Sequence, residues 1–230
     1  MSKKITILGN SKEVIKSHFN TYISNIIKEK FPSKNIQYIQ VPSIMQNQIS
    51  QDGNKLIIST EDRLFTADAV IQTTGIQANT AITIEPPLPV SYGFIINETF
   101  NTQDKDIYAC GECAEFQSGD NQYLWHASEQ QGISAGKNMC DKPTKWHYKK
   151  YRLKSDLFGT FLFSLNPFSG TSVIFSNDSI YQEWYFKNKK VQGVIMTGDK
   201  SRNKMYEKAI YEHWTKEQIK EKLQLSIKEA

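Results

Sequence analysis

Gly93-Phe-Ile-Ile-Asn-Glu-Thr-Phe-Asn-Thr-Gln-Asp-Lys-Asp-Ile-Tyr-Ala-Cys-Gly-Glu112 is the stretch on which the fold of this chain turns. Its two apolar runs, Gly93 to Asn97 and Ile107 to Ala109, are short enough to read as two buried strands. The residues between them are polar and rich in Asn, Thr and Asp, which favour turns by hydrogen-bonding their own backbone. The second run ends on Gly111, which permits close backbone approach, and then an acid, Glu112. Upstream, Pro86-Pro87-Leu88-Pro89 marks a boundary, because proline ends strands and stiffens linkers. Downstream, beyond a loop of Gly, Asp and Ser, the pattern predicts a helix over Leu124 to Met139.

Farther upstream, Lys4 to Leu8 reads as a strand closed by the turn Gly9-Asn10. Ser11 is expected to cap a helix carrying Val14, Ile15, His18, Phe19, Tyr22, Ile23, Ile26 and Ile27 at helical spacing, with Phe31-Pro32 closing it. Asn35 to Val41 alternates as a strand does. Lys55 to Ser59 and Ala67 to Gln72 flank the charged turn Glu61-Asp62-Arg63, and the second of them runs to Thr73-Thr74-Gly75. Beyond Tyr151 the pattern is mostly strands: Gly170 to Phe175, Ser179 to Lys187 and Val191 to Thr197. Asn188-Lys189-Lys190 supplies a hairpin turn, and Lys204 to Glu212 and Thr215 to Ile227 read as terminal helices.

The chain has 230 residues, 39% hydrophobic and 23% charged, which is a globular composition with enough length for real cores. The net charge of +4 is spread as Lys interspersed with Glu. That pattern lacks the basic stripe of a nucleic-acid site, and Lys145 to Arg152 reads as a solvated linker. No window reaches the roughly 18 apolar residues a membrane helix needs. The first residues lack a signal peptide's apolar region, and three cysteines make no disulfide framework. A cytoplasmic location is therefore expected. Aromatics crowd the last third (Phe158, Phe161, Phe163, Phe168, Phe175, Trp184, Tyr185, Phe186) and predict a packed module that folds by itself.

Three segments in order carry a resemblance: Thr66 to Thr80, Gly93 to Glu112, and the helix from Ala127 to Met139. Together they are similar to the FAD-dependent pyridine-nucleotide oxidoreductases with two dinucleotide domains. The family consensus there is an apolar strand ending Thr-Gly, then "I-Y-A-x-G-D", then an "A-x-x-q-G-x-x-A" helix. Residues 151 to 230 resemble the small C-terminal domain of the rubredoxin-reductase and nitrite-reductase large-subunit branch. The resemblance implies an α/β fold, a partial doubly wound Rossmann-like sheet followed by a small α+β domain. It divides the chain into a partial NAD(P)-binding-like domain (1–85), the C-terminal part of an FAD-binding-like domain (86–147) and the small domain (148–230). By the same resemblance FAD would be held by Gly111 and Glu112, by the helix start at Ala127, Ser128 and Glu129, and by Thr74 and Gly75 where the chain crosses between domains.

The chain also departs from that pattern. It contains no G-x-G-x-x-G, the turn that seats a dinucleotide pyrophosphate on a helix N-terminus. Lys4 to Asn10 aligns best with the second strand of the NAD domain, so the FAD front domain and the first β-α unit are expected to be missing. Glu112 stands where the family has Asp. FAD binding by the chain alone is then expected to be weak or absent, and NAD(P)H binding doubtful. Two function classes follow: a truncated oxidoreductase that is redox-active with its missing half supplied in trans, or a non-catalytic binding or scaffolding module. In the second, strands deprived of their sheet neighbours would recruit a protein partner or a second copy through residues 86–140.

Other residues read both ways. Cys110-Gly-Glu-Cys113 fits C-x-x-C, yet zinc needs about four ligands and no His pair accompanies it, so a buried strand-end Cys110 is the plainer reading and no metal is expected. His126 is either a proton donor or a half-buried packing residue. His18 is expected to pack within the first helix, His147 to lie in the exposed linker, and Asp68 to sit at a turn or edge. Gly132 and Gly136 are expected to permit close helix–strand packing.

Overall fold

The computed structural model describes residues 3–42, 49–82, 84–119, 123–147, 152–166, 170–177, 179–223 and 228–229. The first strands are β1 (Ile5–Gly9), β2 (Ile36–Gln40), β3 (Ile49–Asp52), β4 (Lys55–Ser59) and β5 (Leu64–Ala67), with helix α1 (Thr21–Glu29) between β1 and β2. β6 (Phe94–Ile96), β7 (Ala114–Phe116) and α2 (Trp125–Met139) follow. The last part holds β8 (Leu153–Leu157), β9 (Thr160–Leu165), β10 (Thr171–Ser176), β11 (Tyr181–Lys187) and β12 (Lys190–Thr197), then α3 (Asn203–Tyr211), α4 (Lys216–Lys222) and β13 (Lys228–Glu229). The architecture is α/β. No described helix is long and apolar enough to cross a membrane.

The chain divides into two compact units, one formed by residues 1–71 together with 152–230, the other by 72–151. In the first, the C-terminal strands make a sheet in the order β13-β10-β11-β12-β9-β8. Its strands alternate, as the two-residue period of a strand requires. Phe163, Phe175, Trp184 and Met196 point to one face, where Tyr206, Ile210, Trp214 and Ile219 of the α3–α4 region cover them. Leu162, Tyr181, Tyr185 and Ile195 point to the other, where Phe19, Ile23, Ile27 and Phe31 cover them. Both faces are thus apolar. The aromatic density read from the sequence is core in the main, although Phe158 is partly exposed and Phe168 lies outside the described residues.

β1 and β2 pair in parallel, Ile5 opposite Ile36 and Gly9 opposite Gln40, with α1 as their crossover. The expected helix from Ser11 does not form; α1 begins ten residues later, at Thr21. Local polar bonds outcompete the periodicity here. Ser11 Oγ accepts the Glu13 N–H at 3.2 Å, Ile15 turns left-handed at φ 54°, and Asn20 Oδ1 caps α1 by accepting the Ile23 N–H at 3.0 Å. His18 consequently lies outside the helix and is exposed.

Other expectations shift in the same way. The strand expected at Ala67 to Gln72 is found at Leu64–Ala67, nearer the turn whose Arg63 carbonyl accepts the Thr60 N–H at 2.9 Å. Asp68 is an edge residue paired with Lys55 on the neighbouring strand. Ile107 to Ala109 is no strand, only a single bridge of Tyr108 to Asn101. The C-terminal helix runs over Lys216–Lys222, started by a capping box of Thr215 and Gln218; residues 224–227 of the expected helix lie outside the described residues.

Candidate functional site

In the second unit β6 and β7 run parallel, Phe94 opposite Ala114 and Ile96 opposite Phe116. Ile96, Phe100, Ala114, Phe116 and Ala135 form its core. The indole of Trp146 stacks on Phe116, centroids 6.0 Å apart. Helix α2 turns Ala127, Gln131 and Ala135 inward, one residue per turn of helix.

The chain leaves this core at Cys110 and makes one 3-10 turn, Gly111–Cys113, before β7. Gly111 is left-handed at φ +74°, a conformation a side chain would strain, and a Cβ there would lie 3.5 Å from Ser128. Its N–H donates to Gln131 Oε1 at 2.7 Å. The turn and the first half of α2 are therefore joined at two points. Leu124 gives α2 no side-chain cap, so among the described residues no side chain accepts from the N–H groups of its first turn, whose field is positive. The Glu112 carboxylate is exposed and has no hydrogen bond or ion pair among the described residues. Ser128 Oγ is buried without a partner.

The structure brings Gly111 beside Ser128, while Ala127 is buried and Glu112 and Glu129 are exposed. Thr74 and Gly75 stand in exposed chain without regular structure; Thr74 Oγ1 accepts from Gln72 at 3.1 Å. No hydrogen bond joins either of them to Gly111 or Glu112 among the described residues. Two residues that the sequence reading passed over hold the region. One is Gln131, whose signal was a polar residue on the buried face of α2. The other is Glu115, whose Oε2 accepts the N–H groups of Tyr92 at 2.7 Å and Gly93 at 3.2 Å. Those donors, Gly93 and then Tyr92, hold the Glu115 carboxyl below its ordinary range.

Several single residues depart from expectation. His126 is exposed and meets Trp125 edge-on, centroids 4.9 Å apart, so it is not a packing histidine. A Cβ on Gly132 or Gly136 would meet nothing within 4 Å, so neither serves close packing. Cys110 is half-buried, and burial followed by the neighbouring Cys113 pushes its thiol upward, away from the reactive thiolate. Cys113 Sγ donates to the Cys110 carbonyl at 3.3 Å. Among the described residues no group of His, Cys, Asp and Glu could hold a metal.

A family profile described as pyridine nucleotide-disulphide oxidoreductase matches residues 1–132. Nitrite reductase [NAD(P)H] of Bacillus subtilis is 32% identical over 143 residues, covering 59% of this chain and 18% of that protein. The nitric oxide reductase FlRd-NAD(+) reductase of Vibrio vulnificus is 28% identical over 123 residues, 53% of this chain and 32% of its own length. The chain thus spans about a third or less of these curated relatives. Among solved structures, NADH:rubredoxin oxidoreductase from Clostridium acetobutylicum superposes with a TM-score of 0.64 at 19% identity, over 91% of this chain and 53% of that one. An FAD-dependent pyridine nucleotide-disulphide oxidoreductase from Desulfovibrio vulgaris gives 0.75 at 15% identity, over 94% and 60%. The fold is theirs.

Proposed function

The chain belongs to the pyridine nucleotide-disulphide oxidoreductase family, and from that premise we propose that it supplies the carboxyl-terminal flavin-side and part of the nucleotide-side framework of an FAD-dependent NAD(P)H oxidoreductase. The observation that carries the reading is the junction of Gly111 with Ser128 and Gln131. It sets an exposed carboxylate, Glu112, which has no partner among the described residues, near the start of α2, where Leu124 makes no side-chain cap. That arrangement fits a flavin. Glu112 would accept a hydrogen bond from a ribityl hydroxyl, and the open N–H groups of Trp125 to Ala127 would favour negative charge on the isoalloxazine. Ser128 and Glu129 would border the same place, with Thr74 and Gly75 on the segment entering it. Held by these residues, FAD would supply hydride and electron transfer between NAD(P)H and an acceptor. Because the sequence holds no G-x-G-x-x-G, this work requires a glycine-rich front half, in the same polypeptide or in trans.

A second reading has its own support. Trp125, Ile133 and Met139 of α2 are 72%, 49% and 64% exposed, and they fall within about a 120° arc of the helix. Residues 86–140 would then capture a protein partner or a second copy, with redox chemistry lost.

The test is the visible spectrum of the purified chain, alone and with a front half carrying the glycine-rich motif. The expected result is no stoichiometric flavin alone, and flavin retention with NAD(P)H oxidation in the complemented sample. Glu112→Ala should weaken that retention. A complemented sample that stays colourless and inert would reject the redox reading, and protection of residues 125–139 by a partner would then favour the second.

A further inference from the structure

The turn that carries Glu112 has a cysteine at each end. Cys110 is its N-cap, in extended conformation; Gly111–Cys113 is the 3-10 turn itself, and the Ala114 N–H closes it on the Gly111 carbonyl. Both thiols are free and partly exposed, and Cys110 also packs against the core that Ile96, Phe100 and Phe116 form.

Several observations bring the two thiols within bonding reach of each other. A turn of this kind holds its first and fourth α-carbons within about 7 Å, and a disulfide spans α-carbons about 4.4–6.8 Å apart. The Cys113 side chain is folded back over the turn, since its Sγ donates to the Cys110 carbonyl at 3.3 Å. The thiols also feel each other, because Cys113 is the second cause, after burial, that pushes the Cys110 thiol up. Gly111, left-handed at φ +74°, gives the ring between the sulfurs a backbone freedom that a residue with a side chain lacks.

We propose that Cys110 and Cys113 form a thiol–disulfide switch that closes around Gly111 and Glu112 by exchange with a low-molecular-weight disulfide. Cys113, as thiolate, attacks one sulfur of the external disulfide; that S–S bond breaks, one thiolate leaves, and a mixed disulfide forms. Cys110 then loses its proton, attacks the Cys113 sulfur, and the second external thiolate leaves. Two protein thiols are oxidised to one disulfide, one external disulfide is reduced to two thiols, and the two cysteine protons pass to the departing thiolates. Burial leaves Cys110 a small thiolate fraction, which the neighbouring sulfur offsets by being presented within the same turn. Glu112 lies inside the closed ring, so oxidation resets the backbone that presents its carboxylate. The exchange needs no flavin, so the proposal goes beyond the reading above and stands or falls apart from it.

The experiment equilibrates the whole chain with reduced and oxidised glutathione at several ratios, quenches in acid, and reads free thiols, peptide masses and amide NMR shifts of residues 110–114. The expected result is loss of two of the three thiols, with a peptide holding Cys110 and Cys113 that is two hydrogens lighter. The Gly111 and Glu112 amides should shift on oxidation and return on reduction. Cys140→Ser, at an exposed position outside the turn, should keep the crosslink. Cys110→Ser should stop at the mixed disulfide on Cys113, and in Cys113→Ser glutathione should capture Cys110 at least about tenfold more slowly. Circular dichroism checks that each variant is folded, and the unsubstituted chain decides the matter if one is not. Thiols lost only as mixed disulfides, or only as dimers through Cys140, overturn the proposal. So does a crosslink that leaves the Gly111 and Glu112 amides unmoved, or one that forms only when the chain has unfolded.

Discussion

Gln131, buried on the inner face of α2, accepts the backbone N–H of Gly111 at 2.7 Å across twenty positions of sequence. Gly111 cannot use a side chain to fix its own turn, so the helix fixes it. Replacing Gln131 by Leu keeps the volume roughly but leaves a shielded N–H without an acceptor, which costs about 1–3 kcal/mol. Urea denaturation should show Gln131→Leu destabilised by that order, with Gln131→Glu milder because an acceptor remains. If Gln131→Leu unfolds at the wild-type midpoint, the junction contributes nothing.

Asn20 works on both sides of a helix start. Its Oδ1 caps α1, and its Nδ2 donates to Tyr181 Oη and Glu183 Oε2, each at 2.7 Å. Asn20→Ala loses the cap, about 1 kcal/mol, and both donations. Asn20→Asp keeps the cap but sets a second carboxylate beside Glu183. We expect Asn20→Asp to be the less stable of the two at neutral pH and to recover on mild acidification. Thermal melts of both variants at two pH values decide it; the reverse order would mean that the cap outweighs the repulsion between the two carboxylates.

Glu115 predicts an acid-side loss of stability in the second unit. Its carboxyl is held below the ordinary value of 4.5 by the N–H groups of Gly93 and Tyr92. A group whose folded value is depressed stabilises fully above its unfolded value, and that contribution fades as pH falls through the folded one. The effect therefore lies at and below about pH 4.5. Glu115→Gln should flatten the pH dependence of unfolding there and lower stability near neutral pH. Identical pH profiles for the variant and the wild type would count against the clamp.

The sequence was most legible where a single periodicity ruled. The strand patterns Ser179 to Lys187 and Val191 to Thr197 predicted β11 and β12 to within two residues, and the apolar run Gly93 to Asn97 predicted β6. It was least legible where side chains bond to their own backbone. Ser11, Glu13 and Asn20 end the apparent helix of residues 11–27 at its start, and only their partners reveal it. Of the candidate site, the joining of Gly111 to the helix start lay within reach of the family resemblance. Gln131 and Glu115 did not, since a polar residue shows its role only when the N–H it accepts is known.

The last prediction concerns the small C-terminal segment, which the sequence reads as a module that folds by itself. Its sheet has two apolar faces. The α3–α4 region covers one, but Leu162, Tyr181, Tyr185 and Ile195 on the other meet Phe19, Ile23, Ile27 and Phe31 from the opposite end of the chain. Tyr22 also stacks on Tyr181, centroids 4.3 Å apart. Each large side chain buried stabilises by about 1.5–3 kcal/mol, so removing the covering residues withdraws several kcal/mol from a domain whose margin is of that size. Residues 152–230 alone should therefore melt well below the 230-residue chain, bind a hydrophobic dye, and associate at high concentration. Phe19→Ala and Ile23→Ala in the whole chain should move its melting in the same direction. A cooperative transition for the isolated segment at the temperature of the whole chain, without dye binding, would mean that α1 covers that face without stabilising it.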